Sequence, residues 1–368
     1  MSTVKYSPVV KIDHENKFVS QFDGNSGLYI RTGVLKDTLD IHSDTGVDPF
    51  MSYFPELIDI GIMNKCICSK VCNVDCYQKA CERTGDNMSL ENFKRIIKQC
   101  EKKVFQVALG GAGDPDTHEN FAEILEACHQ SNIVPNYTTS GIALNNKTVE
   151  LSKKYCGSVA ISEHFADYTD KAVEMLLFNG VRTNIHYVLG KHTIRKAIDI
   201  LNGKVRYRKG INALVFLIYK PVGLGTEDKV LNPSDPEVVE FFRAVDNRKC
   251  NFKIGFDSCS SSGIANFSKN YGKESIDYCE AARFSMYIDA NMNAMPCSFA
   301  NQDSNWFVKL DINDNDSIKK AWDSPLFENF RNILRHKCYT CCDKSACSGG
   351  CPLINKITLC NRENRETE

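Results

Sequence analysis

Cysteine is the residue type that most clearly indicates chemistry in this sequence. The chain has 18 cysteines in 368 residues; five lie between Cys66 and Cys81, and six lie between Cys338 and Cys360. The first residues, MSTVKYSPVV, lack the charged and apolar regions of a secretion signal, so we expect a soluble cytoplasmic protein. Thiols stay reduced in the cytoplasm, and clustered cysteines there indicate metal ligands rather than disulfides. The isolated cysteines, which we expect to be small core residues, are Cys100, Cys128, Cys156 and Cys250.

The first cysteine group directly follows a predicted strand. The strand LIDIGIM, residues 57–63, runs into the segment NKCICSKVCNVDCYQKAC. Three thiolates on one such loop can hold three irons of a [4Fe–4S] cluster and leave the fourth iron open to a substrate. Cys72 and Cys76 are the favoured ligands, the third is Cys66 or Cys68, and zinc is the alternative metal. The candidate ligands in this group are Cys66, Cys68, Cys72, Cys76 and Cys81.

The segments that would position these cysteines alternate between strand and helix patterns. Short β-rich runs are each followed by an amphipathic stretch, the first of which begins at the N-cap residue Ser89. Six such pairs predict parallel βαβ units that close at least partly into a barrel, with the chemistry at the C-terminal ends of the strands. The predicted strands are 57–63, 104–109, 133–139, 159–162, 181–189 and 211–219.

Glycines and polar residues follow these strands. The second strand ends in LGGAGDP, where glycines allow a close approach of the backbone and Asp114 can accept a hydrogen bond from an ammonium group. Of the polar residues at later strand ends, His164, His186 and Asp257 are candidate catalytic residues, and the histidines could donate or accept protons. The candidate cofactor-binding residues are Gly110, Gly111, Gly113, Asp114, Ser140 and Ser162.

The C-terminal cysteines follow the pattern C-x2-C-x5-C-x3-C and then one more cysteine. After about Asp257 the sequence is rich in loops and has few long apolar periodicities, so we expect too little apolar core and a dependence on bound metal. We divide the chain into an N-terminal segment, 1–56, with a hairpin at Asp23-Gly24, a barrel, 57–256, and a cysteine-rich domain, 257–368. The cysteines of the pattern are Cys338, Cys341, Cys347, Cys351 and, last, Cys360.

Together these motifs resemble the radical S-adenosylmethionine (SAM) superfamily. Its loop after the first strand mostly reads C-x3-C-x2-C, whereas this loop reads C-x3-C-x3-C from Cys68 or C-x5-C-x3-C from Cys66. The tail matches the SPASM extension, which carries two auxiliary [4Fe–4S] clusters, although Met292 stands where that extension usually has a glycine. The resemblance implies a partial (β/α)6 barrel followed by a SPASM domain.

The resemblance also implies how the site residues divide among cofactors. The loop after the first strand would carry the catalytic [4Fe–4S] cluster, and the glycine-rich turn with Asp114 would contact the amino group of SAM. A serine such as Ser162 would contact the methionine carboxylate or the ribose. The first auxiliary cluster would be bound by Cys259, Cys279, Cys297 and Cys351. The second would be bound by Cys338, Cys341, Cys347 and Cys360, with Cys342 as a substitute for Cys341.

The activity implied by the resemblance is reductive cleavage of SAM to a 5′-deoxyadenosyl radical that abstracts hydrogen from a substrate. SPASM enzymes mostly modify peptides or proteins, so we expect the maturation of a ribosomally made peptide by cross-linking or oxidation. The electron donor would be external, such as flavodoxin or ferredoxin. The alternatives are a radical dehydrogenase of a small molecule and a non-catalytic metal-binding scaffold. With 45 basic and 46 acidic residues, the charge predicts neither a nucleic acid nor a membrane partner.

Overall fold

The structure, a computed structural model, describes residues 3–33, 49–67, 72, 74–270, 276–302, 304–338, 341 and 344–361. Two of the cysteines considered above, Cys68 and Cys342, lie outside the described residues. Within the described part there are two sheets, one of three strands and one of ten. None of the helices found there is long and apolar enough to cross a lipid bilayer.

The larger sheet is the centre of the fold. Seven of its strands follow one another in space, and each pairs in parallel with the next. They are β4 (Leu57–Met63), β5 (Gln106–Gly111), β6 (Val134–Thr139), β7 (Ser158–Ser162), β8 (Thr183–Leu189), β9 (Ala213–Ile218) and β10 (Lys253–Phe256). The six predicted strands are β4 to β9, and each begins and ends within two residues of its predicted limits. The predicted parallel α/β architecture is confirmed.

A helix follows each of the strands β4 to β9. The first helix begins after Ser89, whose Oγ accepts a hydrogen bond from the Asn92 amide at 3.2 Å, as an N-cap does. Its buried face consists of Phe93, Ile96 and Ile97, and burial of each such side chain contributes about 1.5–3 kcal/mol. The helices are α1 (Leu90–Cys100), α2 (Phe121–Gln130), α3 (Asn146–Tyr155), α4 (Ala166–Phe178), α5 (Ile194–Leu201) and α6 (Pro236–Asp246).

Side chains of β4 point alternately to the hydrophobic core under the helices and to the barrel interior. Ile58, Ile60 and Ile62 are fully buried in the main hydrophobic cluster, together with residues of α1. Successive side chains of a strand point to opposite faces of the sheet. Asp59 and Gly61 therefore face the barrel interior, on the side where a substrate would lie.

The C-terminal region is joined to the barrel by the same sheet. Strand β11 (Ser285–Ile288) pairs in parallel with β4, and β12 (Asn293–Met295) and β13 (Val308–Lys309) extend the sheet in antiparallel pairing. Because β11 lies beside β4, the segments that follow it are held next to the first cysteine loop. The remaining helices are α7 (Ser261–Phe267), α8 (Ser317–Trp322), α9 (Pro325–His336) and α10 (Lys344–Cys347).

The region after Asp257 shares the hydrophobic core of the barrel, and its expected dependence on bound metal stays a prediction. Trp322, Phe327, Phe330 and Leu334 are fully buried, and they belong to the same hydrophobic cluster as the barrel. Their spacing is helical, but α8 and α9 are short, and their apolar face finds its partners only across the shared sheet. Packing on the barrel therefore supplies a core that the region does not contain by itself.

Met292, which stands where the SPASM extension usually has a glycine, lies in the turn between β11 and β12. Met292 has a φ of +62°, the left-handed conformation that glycine adopts most readily. The turn is held by Asp289, whose Oδ1 accepts hydrogen bonds from the amides of Asn291 and Asn293, each at 2.9 Å. A non-glycine residue in this conformation costs roughly 1–2 kcal/mol. Met292 is buried, which offsets part of that cost.

A separate antiparallel sheet precedes the barrel. Its strands β1 (Val9–Asp13), β2 (Phe18–Asp23) and β3 (Leu28–Gly33) pair in sequence order, with a hairpin between β2 and β3. Phe22 packs against Phe105 of the barrel. Arg31 donates to Asp277 at 2.8 Å and also pairs with Glu280. The N-terminal sheet thus contacts both the barrel and the segment that contains Cys279.

Candidate active site

The glycine-rich turn after β5 packs directly against the first cysteine loop. Gly111 has a φ of +117°, and a Cβ on it would lie 2.3 Å from the Met63 carbonyl oxygen. A Cβ on Gly113 would lie 2.2 Å from the carbonyl oxygen of Lys65 and 3.2 Å from Cys66 Cα. Both positions therefore require glycine because the two chain segments touch there. By contrast, a Cβ on Gly110 would meet nothing within 4 Å.

This difference predicts opposite effects for two glycine substitutions. Gly113→Ala should displace the backbone at Cys66, so that iron content in reconstituted protein falls from about twelve to about eight atoms per chain. Gly110→Ala should keep all of its iron and weaken only the binding of SAM, since its methyl group enters open space. Iron analysis and SAM-binding calorimetry distinguish the two cases. Full iron content in Gly113→Ala would contradict the close packing described above.

The first cysteine loop is held by its backbone. Cys66, Cys72 and Cys76 are half-buried, whereas Cys81 is exposed. The Cys76 carbonyl accepts hydrogen bonds from the amides of Lys79 and Leu224, each at 3.1 Å. The segment after β9 thus packs on the loop, and the thiols lie at the C-terminal end of β4, where a barrel carries its chemistry. The choice of Cys66 or Cys68 as third ligand stays a prediction.

Asp114 and Ser140 are brought together by neighbouring strand ends. The Ser140 amide donates to Asp114 Oδ1 at 2.8 Å, and the Ser140 hydroxyl donates to Oδ2 at 2.5 Å. Burial lowers the pKa of His164, and the charges of Asp114 and Glu163 oppose that decrease. His164 and Asp114 therefore lie near each other across the barrel mouth. Ser162 is the last residue of β7, at the same end of the sheet.

The other two catalytic candidates are His186, in the middle of β8, and Asp257, which directly follows β10. Burial lowers the pKa of His186 to about 4, although the charge of Asp257 opposes this, so the imidazole is neutral at physiological pH. Thr138 Oγ1 lies 3.5 Å from His186 Nδ1. Asp257 Oδ2 accepts a hydrogen bond from the ammonium of Lys220 at 2.7 Å, so its carboxylate is paired with a cation. His186 is thus a neutral hydrogen-bonding group, whereas Asp257 is held in an ion pair.

Asp59 is a residue of the barrel interior that the sequence analysis did not single out. Burial alone raises its pKa to about 6. Among the residues that the structure describes, its carboxylate has no hydrogen-bond or ion-pair partner. Above about pH 6 it therefore carries an unbalanced charge that destabilises the fold, a pattern more common at functional sites than in structural cores. The available signal was an acidic residue in the middle of an apolar strand.

The cysteines predicted for the first auxiliary cluster come together in space. A hydrogen bond between the Cys259 and Cys351 thiols raises the pKa of Cys259 and lowers that of Cys351. Burial raises the pKa of Cys279, and the nearby thiols of Cys259 and Cys297 raise it further. The four residues come from the loops after β10, before β11, after β12 and after α10. Four separate segments of the chain thus bring these thiols close together.

The second predicted set also converges. Burial raises the pKa of Cys347, and the neighbouring thiols of Cys338, Cys341 and Cys360 raise it further. The Gly349 amide donates to Cys347 Sγ at 3.4 Å, as amides do to the sulfurs of cluster ligands. All eight side chains of the two sets are thiols, the donor type of iron–sulfur clusters. Within the described ranges, no three His, Cys, Asp or Glu side chains are grouped as the ligands of a single metal ion.

The isolated cysteines differ in burial. Cys100 and Cys128 are fully buried in the main hydrophobic cluster, which confirms that they are core residues. Cys156 and Cys250 are half-buried and pack against the same cluster. Burial raises the pKa of Cys100 to about 12, so its thiol is protonated. These four residues lie apart from the thiol sets described above.

Comparison with solved structures identifies the fold. Streptococcus suis SuiB bound to precursor peptide SuiA aligns with a TM-score of 0.70 and 16% identity, covering 98% of this chain and 100% of that chain. SuiB bound to S-adenosylmethionine aligns with a TM-score of 0.68, 16% identity and 95% coverage of each chain. The protein anSMEcpe with bound AdoMet aligns with a TM-score of 0.62 and 17% identity, covering 81% of this chain and 89% of that chain. Neither a protein-family model nor a curated protein matches the sequence.

At these identities the similarity establishes the fold. The chain has the fold of radical SAM proteins with a SPASM region: a partial (β/α)6 barrel followed by a cysteine-rich C-terminal part. The fold class predicted from the cysteine motifs and the strand–helix alternation is confirmed.

Proposed function

We propose that this protein is a radical SAM enzyme that modifies a ribosomally made peptide by cross-linking or oxidation. The observation that supports this most is the convergence of eight thiols into two sets beside the mouth of the barrel. A fold that carries one set of thiols at the C-terminal end of β4 and two more sets in the C-terminal region is suited to electron transfer to and from a substrate.

Residues at the ends of β5, β6 and β7 bind SAM. Gly110 leaves open space for the ligand, and Gly111 lets the backbone turn towards it. The Asp114 carboxylate accepts hydrogen bonds from the ammonium group of SAM, and Ser140 holds that carboxylate in place. Ser162 contacts the methionine carboxylate or the ribose. Cys72, Cys76 and a third thiol would hold a [4Fe–4S] cluster, and that cluster would supply the electron, taken from a donor such as flavodoxin or ferredoxin, for the reductive cleavage of SAM.

Residues of the barrel interior orient the substrate and exclude water from the radical. Asp59 on β4 and His186 on β8 lie on the same face of the sheet, on strands separated by β5, β6 and β7. Ionised Asp59 offers a hydrogen-bond acceptor to the substrate, and the neutral imidazole of His186 offers a hydrogen-bond donor and an acceptor. A peptide substrate is favoured because two structurally similar proteins bind peptides: SuiB binds its precursor peptide SuiA, and anSMEcpe binds the Kp18Cys peptide.

The test uses reconstituted enzyme with dithionite and SAM under anaerobic conditions. The substrates are peptides that are encoded beside the gene of this protein. We expect one peptide to lose two hydrogens, about 2 Da, with one 5′-deoxyadenosine formed per modified peptide. Mass spectrometry and chromatography measure both products. A Cys72→Ala/Cys76→Ala protein is the matched control and should form neither product.

Two outcomes would contradict the proposal. If iron does not bind and the protein is colourless with stoichiometric zinc, the metal scaffold replaces the enzyme. If SAM is cleaved but only a sugar or an amino alcohol is oxidised while every encoded peptide is unchanged, the protein is a small-molecule dehydrogenase. The first outcome rejects the radical chemistry, and the second rejects only the peptide substrate.

A further inference from the structure

A buried lysine lies between two of the segments that carry auxiliary thiols. Lys220 follows β9, and its side chain is 4% exposed. Its ammonium donates to Asp257 Oδ2 at 2.7 Å and to the Ile218 carbonyl at 3.0 Å, and it lies 4.5 Å from the centre of the Phe299 ring. Asp257 precedes Cys259 by two residues, and Phe299 follows Cys297 by two. One ammonium group thus contacts both ligand-bearing segments.

The buried ammonium of Lys220 keeps its charge. Burial would lower the pKa of Lys220, but the charges of Asp257 and the Cys259 thiol more than offset this. Lys220 therefore stays protonated in a buried place, beside groups that become anionic when they bind iron.

We propose that Lys220 is a positioning residue for the first auxiliary cluster and raises the reduction potential of that cluster. The inference rests on the proposed function, because it requires a cluster bound by Cys259, Cys279, Cys297 and Cys351. Reduction adds an electron to a cluster that four thiolates already make anionic. A fixed cation nearby stabilises the reduced form more than the oxidised form, and burial strengthens that attraction.

Asp257 should have the opposite effect. Its carboxylate accepts a hydrogen bond from the Lys220 ammonium at 2.7 Å, and it precedes Cys259 by only two residues. Removing either charge of this pair leaves the other one uncompensated beside the cluster. A higher potential makes the first auxiliary cluster a better electron acceptor than it would be in an apolar pocket.

The test is a potentiometric titration of reconstituted enzyme, followed by electron paramagnetic resonance. The Cys72→Ala/Cys76→Ala background leaves only the auxiliary clusters to observe. Lys220→Met keeps the length of the side chain and removes its charge, and it should lower the potential of one cluster by about 59 mV, a tenfold change in the ratio of its two forms. Asp257→Asn should raise the same potential, and Lys220→Arg should leave it close to wild type.

The second auxiliary cluster, bound by Cys338, Cys341, Cys347 and Cys360, is the internal control, and its potential should not move. An unchanged potential in Lys220→Met, even with lower thermal stability, would reduce Lys220 to a structural role and overturn the inference while the proposed function stands. If the Lys220→Met protein does not assemble the first auxiliary cluster, the Asp257→Asn protein is the deciding variant. A reduction potential of that cluster that is not higher than in wild type would then overturn the inference. Wild-type protein without iron would reject the proposed function and this inference together.

Discussion

Replacing Cys72 and Cys76 together by alanine is expected to remove about four of about twelve irons and to abolish SAM cleavage. The two residues lie on the loop after β4, at the C-terminal end of the barrel strands, and the glycine-rich turn packs against the start of that loop. With two of three thiolates gone, no cluster with an open iron can form there. Iron analysis and 5′-deoxyadenosine chromatography measure the two effects.

The matched control for this experiment is Cys250→Ala. Cys250 is half-buried and lies apart from both thiol sets, with its sulfur 3.8 Å from the Phe252 carbonyl oxygen. It should keep about twelve irons and normal SAM cleavage. Single substitutions of Cys66, Cys68 and Cys81 identify the third ligand. If the Cys72→Ala/Cys76→Ala protein still forms 5′-deoxyadenosine, the catalytic cluster is bound elsewhere.

The second large effect is expected from Cys259→Ala/Cys351→Ala. These thiols are hydrogen-bonded to each other, and their loss should again remove about four irons. SAM cleavage should continue because the catalytic loop is intact. The peptide product should be absent because the substrate radical has no nearby acceptor for its second electron. The measured signature is 5′-deoxyadenosine without modified peptide, the reverse of the tight coupling expected for wild type.

Proteolysis of the same variant tests what the metal holds in place. Cleavage should appear in the loops around residues 257–260 and 348–361, which the proposed first auxiliary cluster would hold together. Helices α8 and α9 should stay protected, because Trp322 and Phe330 are buried in the barrel's own hydrophobic cluster. Peptide modification at the wild-type rate would show that the first auxiliary cluster is dispensable and that the second alone accepts the electron.

Local sequence patterns were sufficient for the barrel. Strands β4 to β9 are apolar runs bounded by turns, and each following helix has a buried stripe at helical spacing, so short-range periodicity carries the information. The grouping of the second cysteine set could also be predicted from the sequence, because Cys338, Cys341 and Cys347 lie close together both in sequence and in space. Met292, which stands where the SPASM extension usually has a glycine, has a positive φ, a conformation that glycine adopts most readily.

Contacts between residues distant in sequence determine how the C-terminal region packs on the barrel and where the buried charges lie. That β11 adds to the edge of β4, that α9 buries Phe327 against the barrel, and that Lys220 pairs with Asp257 all depend on contacts between residues distant in sequence. Asp59 shows the same limit: the sequence places an acid in a strand, but only the sheet decides which face points into the barrel. The periodicity of apolar residues predicts a helix or strand and its buried face. Which segment packs on that face, and that the Asp59 carboxylate is left without a partner among the described residues, are decided only when the chain folds.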